Sequence, residues 1–203
     1  MSELGLFPLG IVLLPTEQVP LHIFEERYRE LIGECLAEER EFGLVYADEE
    51  GIRDVGTLAA VIEVLDRFED GRLNILVEGG ERFRLLALTS GRSFPTGQVE
   101  PVEDEDDPAE PESIDEALSL FGRLRTEAGS EVAAPPADAP QLSYALAARV
   151  ELPVQVKLEL LAELSERARL ARVRELLEGA LVALRTQRAA ARQAAGNGRV
   201  QLG

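Results

Sequence analysis

The chain of 203 residues has one cysteine, one histidine, one lysine and no tryptophan. Because Cys35 has no second thiol to pair with, an internal disulfide and a metal site built on several cysteines are both excluded. His22 alone cannot supply a pair of imidazole ligands, and a Ser-His-Asp triad could be built only through that residue. We therefore expect no resident metal and no cofactor.

Long apolar runs are also absent. No uninterrupted run approaches the roughly 20 apolar residues that are needed to span a bilayer. The stretch after Met1 has no basic residues ahead of it and is interrupted by Pro8 and Pro15, unlike a secretory signal peptide. We therefore expect a cytoplasmic protein that has no membrane partner.

Negative charge dominates the chain, which has a formal net charge of −17. The charge is unevenly distributed: residues 141–203 contain 10 Lys and Arg against 6 Asp and Glu, whereas residues 1–140 contain 11 against 32. Nucleic acid binding relies on basic side chains that neutralise phosphates, so this acidity argues against a nucleic acid partner. Aromatic residues, on which bases could stack, make up only 5% of the chain.

The first hundred residues have the pattern of a β-rich domain with one helix. Three prolines interrupt the apolar stretch 4–24, which predicts two short strands joined by a loop. Apolar residues at helical spacing then predict one helix that begins near Phe24 and ends near Arg40. Segments rich in Val, Ile, Leu and Phe predict four further strands, at 42–47, 55–68, 72–88 and 95–102.

Two glycine-containing pairs indicate how these strands connect and bend. Asp70-Gly71 favours the positive backbone angles of a tight hairpin turn. Gly79-Gly80 lies inside a strand pattern, which indicates a bulge or bend of the kind that curls a small sheet into a barrel. Residues 1–102 are therefore predicted to form a curled β-sheet or pseudo-barrel.

Beyond this domain the pattern becomes helical. Residues 103–112 (EDEDDPAEPE) are predicted to form a solvated acidic linker, since they offer almost nothing to bury. Residues 113–203 are predicted to form a helical bundle with a basic C-terminal tail, and Ser165 is the predicted N-cap of its long last helix. The fold class is thus α+β. The four helices of the bundle are predicted at 114–127, 141–150, 154–164 and 167 to about 195.

Three blocks of residues, spread over nearly the whole chain, carry a family resemblance. They comprise residues 7–12 (FPLGIV), Pro15, 20–25 (PLHIFE) and 27–28 (RY); 55–57 (VGT), 76–79 (LVEG) and 82–84 (RFR); and Lys157 with 160–161 (LL). In this order they resemble the amino-terminal, substrate-binding domain of Lon proteases. The likeness implies a barrel of the PUA class followed by a helical bundle, which is the layout that the periodicity also predicts.

The likeness also implies a function, the binding of exposed and partly unfolded segments of protein substrates. Full Lon enzymes usually have charged residues soon after the first Pro-Leu, whereas this chain has Gly10, as free-standing members of the family do. A full Lon would continue beyond Gly203 into ATPase and peptidase modules. We therefore expect a free-standing member that lacks both modules.

No residue pattern supports catalysis. A P-loop ends in Gly-Lys-Ser or Gly-Lys-Thr, whereas Lys157 follows Val156 and has no serine motif beside it, which also argues against a Ser/Lys dyad. Cys35 lies on the apolar stripe of its helix and is predicted to be a buried, unreactive thiol. The acidic run 103–107 lacks the spacing and the glycine of a calcium loop. We therefore expect a protein that is not an enzyme.

The first functional hypothesis is recognition of exposed or unfolded polypeptide segments. It requires a partly exposed apolar groove, for which the proline-cut loop 13–21 is the candidate. Alternatively, these side chains plug one end of the barrel. Arg82 either contributes to binding or pairs with an acidic residue beneath the barrel. The predicted binding residues are Leu13, Leu14, Pro15, Val19, Pro20, Leu21, His22, Phe24, Tyr28 and Arg82.

The second hypothesis is an adaptor that docks on one folded partner, such as a protease or a larger assembly. The long last helix motivates it, because its apolar stripe continues to Leu184 and then meets Arg185, Arg188 and Arg192. The alternative for these arginines is a favourable interaction with the dipole at the C-terminal end of the helix.

Overall fold

The computed structural model describes residues 2–197, and the side chains of residues 2–193. Within that range the chain forms strands and then helices, in the α+β order that the sequence predicts. The end of the predicted basic tail, residues 198–203, lies outside the described residues. The elements are β1 (Ser2–Leu9), β2 (Gln18–Ile23), α1 (Glu26–Glu38), β3 (Phe42–Asp48), β4 (Gly51–Arg67), β5 (Leu73–Thr89), β6 (Thr96–Pro101), α2 (Pro111–Ala128), α3 (Leu142–Ala147), α4 (Val154–Ala162) and α5 (Glu166–Asn197).

A six-stranded sheet curls until it closes on itself. Its order is β2-β5-β4-β3-β1-β6, and β6 also pairs with β5. The first half of β5, from Leu73 to Glu78, pairs with β2, and its second half, from Phe83 to Thr89, pairs with β6. β1 is parallel to β3 and antiparallel to β6. Five strands therefore enclose the predicted pseudo-barrel, and β2 is an edge strand beside it.

Both predicted glycine features are confirmed. Gly71 has a φ of 84° in the turn between β4 and β5. At Gly79-Gly80, β5 has one residue more than β4 between paired positions, which is a bulge. A Cβ atom on Gly79 would lie 2.1 Å from the carbonyl oxygen of Leu14. Only glycine therefore lets the loop after β1 pass so close to the bend.

α1 packs on the curled sheet with one apolar stripe. Tyr28, Leu31, Ile32 and Cys35 form that stripe and are buried in a core cluster with the inward side chains of β2, β3 and β5. Their spacing of three and four residues is that of one helical face, as predicted. A second, smaller cluster, formed by Leu6, Val45, Phe83 and Val99, fills another part of the barrel.

The helices after the barrel pack around the first half of α5. Its buried stripe confirms the predicted pattern, and the hydroxyl oxygen of Ser165 caps it by accepting a hydrogen bond from Ala168 N–H at 3.0 Å. The core of the bundle also contains Val12 and Leu14 from the loop after β1, so this loop joins the barrel part to the core of the helices. The buried residues of α5 are Leu170, Val173, Leu177 and Leu181.

The acidic segment between β6 and α2 differs from its prediction. It has no helix or strand before α2 and most of its residues are exposed, but the side chain of Asp104 is only 18% exposed and pairs with Arg82 and Arg169. Glu105 N–H also donates to the carbonyl oxygen of Leu164 at 3.0 Å. Asp104 is the exception to the predicted solvated linker, because a carboxylate can be buried where arginines oppose it.

Candidate polypeptide-binding surface

Most of the predicted binding residues are buried rather than exposed in a groove. The leucines of loop 13–21 are buried in two core clusters: Leu13 and Leu21 pack in the cluster with α1, and Leu14 packs in the core of the bundle. Val19 is half-buried, and three of the predicted residues are exposed: Pro20, His22 and Phe24. The buried ones are Leu13, Leu14, Pro15, Leu21, Tyr28 and Arg82.

Buried polar contacts fix the loop after β1 in this position. Glu17 accepts a hydrogen bond from Leu14 N–H at 2.9 Å, and its other carboxylate oxygen pairs with Lys157 of α4. The Thr57 hydroxyl donates to the Leu13 carbonyl oxygen at 2.7 Å. The only lysine of the chain thus binds the loop to the helical part. An apolar surface held in this way is not free to receive a ligand.

Arg82 is buried in the interface between the barrel and the helices, with 3% exposure. Its guanidinium donates to the carbonyl oxygens of Leu161 at 2.7 Å and Glu163 at 3.0 Å, and pairs with Asp104. The predicted pairing with an acidic residue is confirmed. Because the fold encloses its side chain, Arg82 is not part of the exposed surface of the protein.

An exposed aromatic patch lies at the end of β2 and consists of His22, Phe24 and Phe68. Phe24 is 59% exposed and Phe68 is 40% exposed. The His22 ring lies between them, with centroid distances of 5.9 Å to Phe24 and 6.0 Å to Phe68. Single exposed apolar side chains are common on folded domains, and Leu88 is nearly as exposed as Phe24. What distinguishes this patch is that three rings lie together on one surface, which makes it the candidate for apolar contact with a ligand.

Polar contacts hold the patch in place from below. His22 Nδ1 lies 2.6 Å from Oδ1 of Asn74, and Asn74 Nδ2 donates to Asp66 at 2.9 Å. These three side chains belong to β2, β5 and β4, which pair in that order. The imidazole that separates the two phenylalanine rings is therefore fixed by the sheet, so the patch is preorganised.

Sequence reasoning found His22 and Phe24 but missed Phe68. Phe68 precedes the Asp70-Gly71 turn, and its place at the end of a predicted strand gave no reason to expect it beside His22. The signal that could have found it is the pairing of β2 with β5, which brings the turn of the β4–β5 hairpin next to the end of β2.

A second apolar surface was also missed, and we call it the helical groove. It is a cavity of about 650 Å³ between α2, α5 and the segment between α3 and α4. Arg125 and Arg149 border it. The apolar side chains that line it include Phe121, Leu124, Val132, Val150 and Leu184.

Cys35 is buried in α1, as predicted. Burial, with a smaller contribution from the charge of Glu34, raises the pKa of its thiol to about 11. Because only the thiolate attacks a disulfide reagent, we expect native protein at about pH 8 to react at least about a hundredfold more slowly than the unfolded chain. The absorbance of the released thiolate measures both rates. Equal rates with and without denaturant would contradict this expectation.

Neither a metal centre nor a membrane span is found in the part of the chain that the structure describes. Among residues 2–197, no three His, Cys, Asp or Glu side chains are placed to hold a metal ion. None of the helices in the same range combines the length and the apolar character that crossing a bilayer requires.

Comparison with known proteins connects this fold to one family. The crystal structure of a Lon N-terminal domain protein from Xanthomonas campestris superposes with a TM-score of 0.66 at 28% identity, over 85% of this chain and 97% of that one. The N-terminal domain of the Mycobacterium avium complex Lon protease gives a TM-score of 0.68 at 18% identity, over 87% of this chain and 98% of that one. The second likeness shows the fold alone.

The sequence comparisons agree with the structural ones. The Lon protease of Anaeromyxobacter dehalogenans is 29% identical over 87% of this chain, and Lon protease 1 of Hydrogenovibrio crunogenus is 30% identical over 60% of it. The chain spans only 23% and 16% of these two relatives. Residues 3–179 match the family model of the ATP-dependent protease La (LON) substrate-binding domain. The chain therefore belongs to the family of Lon substrate-binding domains.

Proposed function

We propose that this chain is a non-catalytic, cytoplasmic module that binds exposed or unfolded segments of other polypeptides through the aromatic patch. The observation that carries the proposal is the 59% exposure of Phe24, beside His22 and Phe68. Membership of a substrate-binding family supports it. The family match concerns the substrate-binding domain and not the catalytic modules of Lon, which supports a role without catalysis.

The chemistry of the patch suits apolar side chains of an extended polypeptide. Covering exposed phenylalanine surface is favourable by about 25 cal/mol per Å². A patch of two rings is small, so binding is weak and tolerates many sequences. The neighbouring β2 has a free edge, but Pro20 lacks the N–H that an added strand would need. Side-chain contacts, rather than strand addition, are therefore the mode of binding that we propose.

Replacing both Phe24 and Phe68 with serine tests the proposal. We expect the variant to bind a permanently unfolded, fluorescently labelled protein at least about tenfold more weakly than the unchanged chain, because each lost ring removes about 1 kcal/mol or more of apolar contact. Fluorescence anisotropy measures the affinity. The folded form of the same labelled protein is expected to bind weakly to both.

The matched control replaces Leu86 and Leu88 with serine. These two side chains are also exposed and lie at the opposite end of β5 from the patch. We expect this variant to bind unfolded protein as the unchanged chain does. Equal losses in both double variants would mean that the patch is not the site, and a chain with no preference for unfolded protein would refute the function itself.

The helical groove favours a second candidate function, an adaptor that docks on one folded partner such as a protease or a larger assembly. Its apolar lining includes Leu184 on α5, where the predicted apolar stripe meets the arginines. Arg125 and Arg149 at its border would complement an acidic partner surface. Failure of the unchanged chain to bind unfolded protein would make this candidate the better one.

A further inference from the structure

A cavity of about 510 Å³ opens onto the smaller core cluster of the barrel. Leu4, Leu58, Phe83 and Val99 line it, and all four belong to that cluster or pack against it. Pro101 at the end of β6 adds to the apolar wall. The cavity shares no residue with the aromatic patch, so it is a separate feature of the barrel.

Four glutamates surround this apolar lining: Glu39, Glu41, Glu81 and Glu100. All four are exposed, and none forms an ion pair within the described residues 2–197. The Glu41 carboxylate reaches across the bulge, since a Cβ atom on Gly80 would lie 3.0 Å from its Oε1. We call the four carboxylates and the apolar lining together the acidic cavity.

The positive charges at the acidic cavity are already used by other residues. Arg40 pairs with Glu38, and Arg82 pairs with Asp104 while its other terminal nitrogen donates to two backbone carbonyl oxygens. None of the four glutamates forms an ion pair among the residues described, and Arg40 is the one exposed cation at the same opening, so negative charge predominates there. Carboxylates gathered at one opening repel one another, and a cation placed between them relieves that repulsion.

We propose that the acidic cavity binds a lysine or arginine side chain flanked by apolar residues, so that this chain prefers basic over acidic segments of unfolded polypeptide. The inference rests on the proposed function and adds a substrate class to it. Lysine and arginine have long aliphatic stems that pack on apolar surface while the charged end stays near water and carboxylates. The apolar lining of the cavity can contact the aliphatic stem, and the four glutamates can contact the charged end.

The charge of the whole barrel favours the same ligand class. Residues 1–102 contain 20 acidic against 9 basic residues. A surface field of this sign attracts basic segments, repels acidic ones and raises the rate of encounter at low ionic strength. The surface field alone does not determine where a basic side chain binds, whereas a cavity bordered by four unpaired carboxylates defines one position.

Labelled peptides that share one apolar pattern, and that carry lysine, serine or glutamate at the polar positions, test the inference. By anisotropy at low salt, we expect the lysine peptide to bind about tenfold more tightly than the serine peptide, since a few exposed ion pairs each contribute a few-fold. Changing Glu41, Glu81 and Glu100 together to glutamine is expected to remove that advantage and leave the serine peptide unaffected.

The matched control changes Glu49, Glu112 and Glu178 to glutamine. These three are also exposed and outside the acidic cavity, and their replacement changes the net charge by the same amount. We expect the control to keep the preference for lysine. Equal losses in both triple variants would show a general field effect and overturn the inference, as would a lysine peptide that binds no better than the serine peptide.

Amide chemical shifts of the unchanged chain locate the lysine peptide independently of any variant. We expect shifts at Ser2, Glu81 and Glu100, which border the acidic cavity, and shifts confined to other surfaces would overturn the inference. If the serine peptide fails to bind the unchanged chain while the lysine peptide binds, the apolar function proposed above fails and the acidic cavity stands. The two proposals therefore fail separately.

Discussion

Replacing Asp104 with asparagine is expected to lower the free energy of unfolding by about 3 to 5 kcal/mol, because it leaves the buried Arg82 without an anion and leaves the buried Arg169 with Glu166 alone. Arg169 is completely buried and donates from two nitrogens to the two oxygens of Asp104, at 2.9 and 2.6 Å. Arg82 reaches the same carboxylate from the barrel. One side chain thus neutralises an arginine from each part of the protein. Urea denaturation at neutral pH measures the loss.

Asp106 gives the matched control, because it is two residues away, exposed and without a hydrogen bond or ion pair in the described residues. Changing Asp106 to asparagine is expected to alter the free energy of unfolding by less than about 0.5 kcal/mol. Similar effects for both substitutions would show that the buried pairing contributes nothing special.

The effect of Asp104 depends on pH in a defined direction. Burial alone would raise the pKa of Asp104, but hydrogen bonds from Arg169 and Gln141 outweigh it and hold the pKa below its usual value. A carboxyl group with a lowered native pKa stabilises the fold above its unfolded pKa of about 4, and that contribution disappears as the pH falls through the native pKa. The deficit of the asparagine variant is therefore expected to shrink in acid.

Replacing Gly79 with alanine is expected to cost about 3 kcal/mol or more of unfolding free energy, the upper range for an overpacked core. The added methyl group would lie 2.1 Å from a backbone oxygen of Leu14, which cannot rotate away as a flexible side chain could. The Leu14 backbone is itself held by Glu17. Thermal and urea unfolding of the two proteins measure the difference.

The control for this substitution is Gly122 in α2, where an added Cβ atom meets nothing within 4 Å. Changing Gly122 to alanine is expected to stabilise the protein by about 0.5 to 1 kcal/mol, because alanine is a better helix former than glycine. The same substitution is therefore expected to lower the free energy of unfolding at Gly79 and to raise it at Gly122. Destabilisation by both would mean that loss of glycine, rather than the close approach, decides the result.

Local patterns predicted the elements of this fold well. Asp70-Gly71 and Gly79-Gly80 indicated the turn and the bulge because the backbone angles they permit are properties of those residues. The apolar spacing of α1 and α5 identified their buried faces for the same kind of reason. Closure of the barrel was predicted only in outline. It depends on the pairing of β5 with both β2 and β6, and no local sequence pattern specifies which distant strands pair.

Long-range contacts explain where the sequence was misleading. Among the five acidic residues of 103–107, composition does not distinguish Asp104 from its neighbours, because its burial depends on an arginine 65 positions later. Loop 13–21 could be read as an exposed apolar groove because Lys157, which pairs with Glu17 of that loop, lies on a distant helix. For the candidate site, His22 and Phe24 could be found from sequence, whereas Phe68 and the acidic cavity required the folded sheet.

The pairing of β1 with β6 has a consequence for the chain as it is being made. Ser2 pairs with Val99, so during synthesis β1 must wait for β6, the last strand of the barrel. At about 5 to 20 residues per second, that wait lasts roughly 5 to 20 seconds. During this interval the apolar β1 has an unpaired edge of the kind that promotes aggregation. Nascent chains of this protein are therefore themselves exposed polypeptide until residue 101 has emerged.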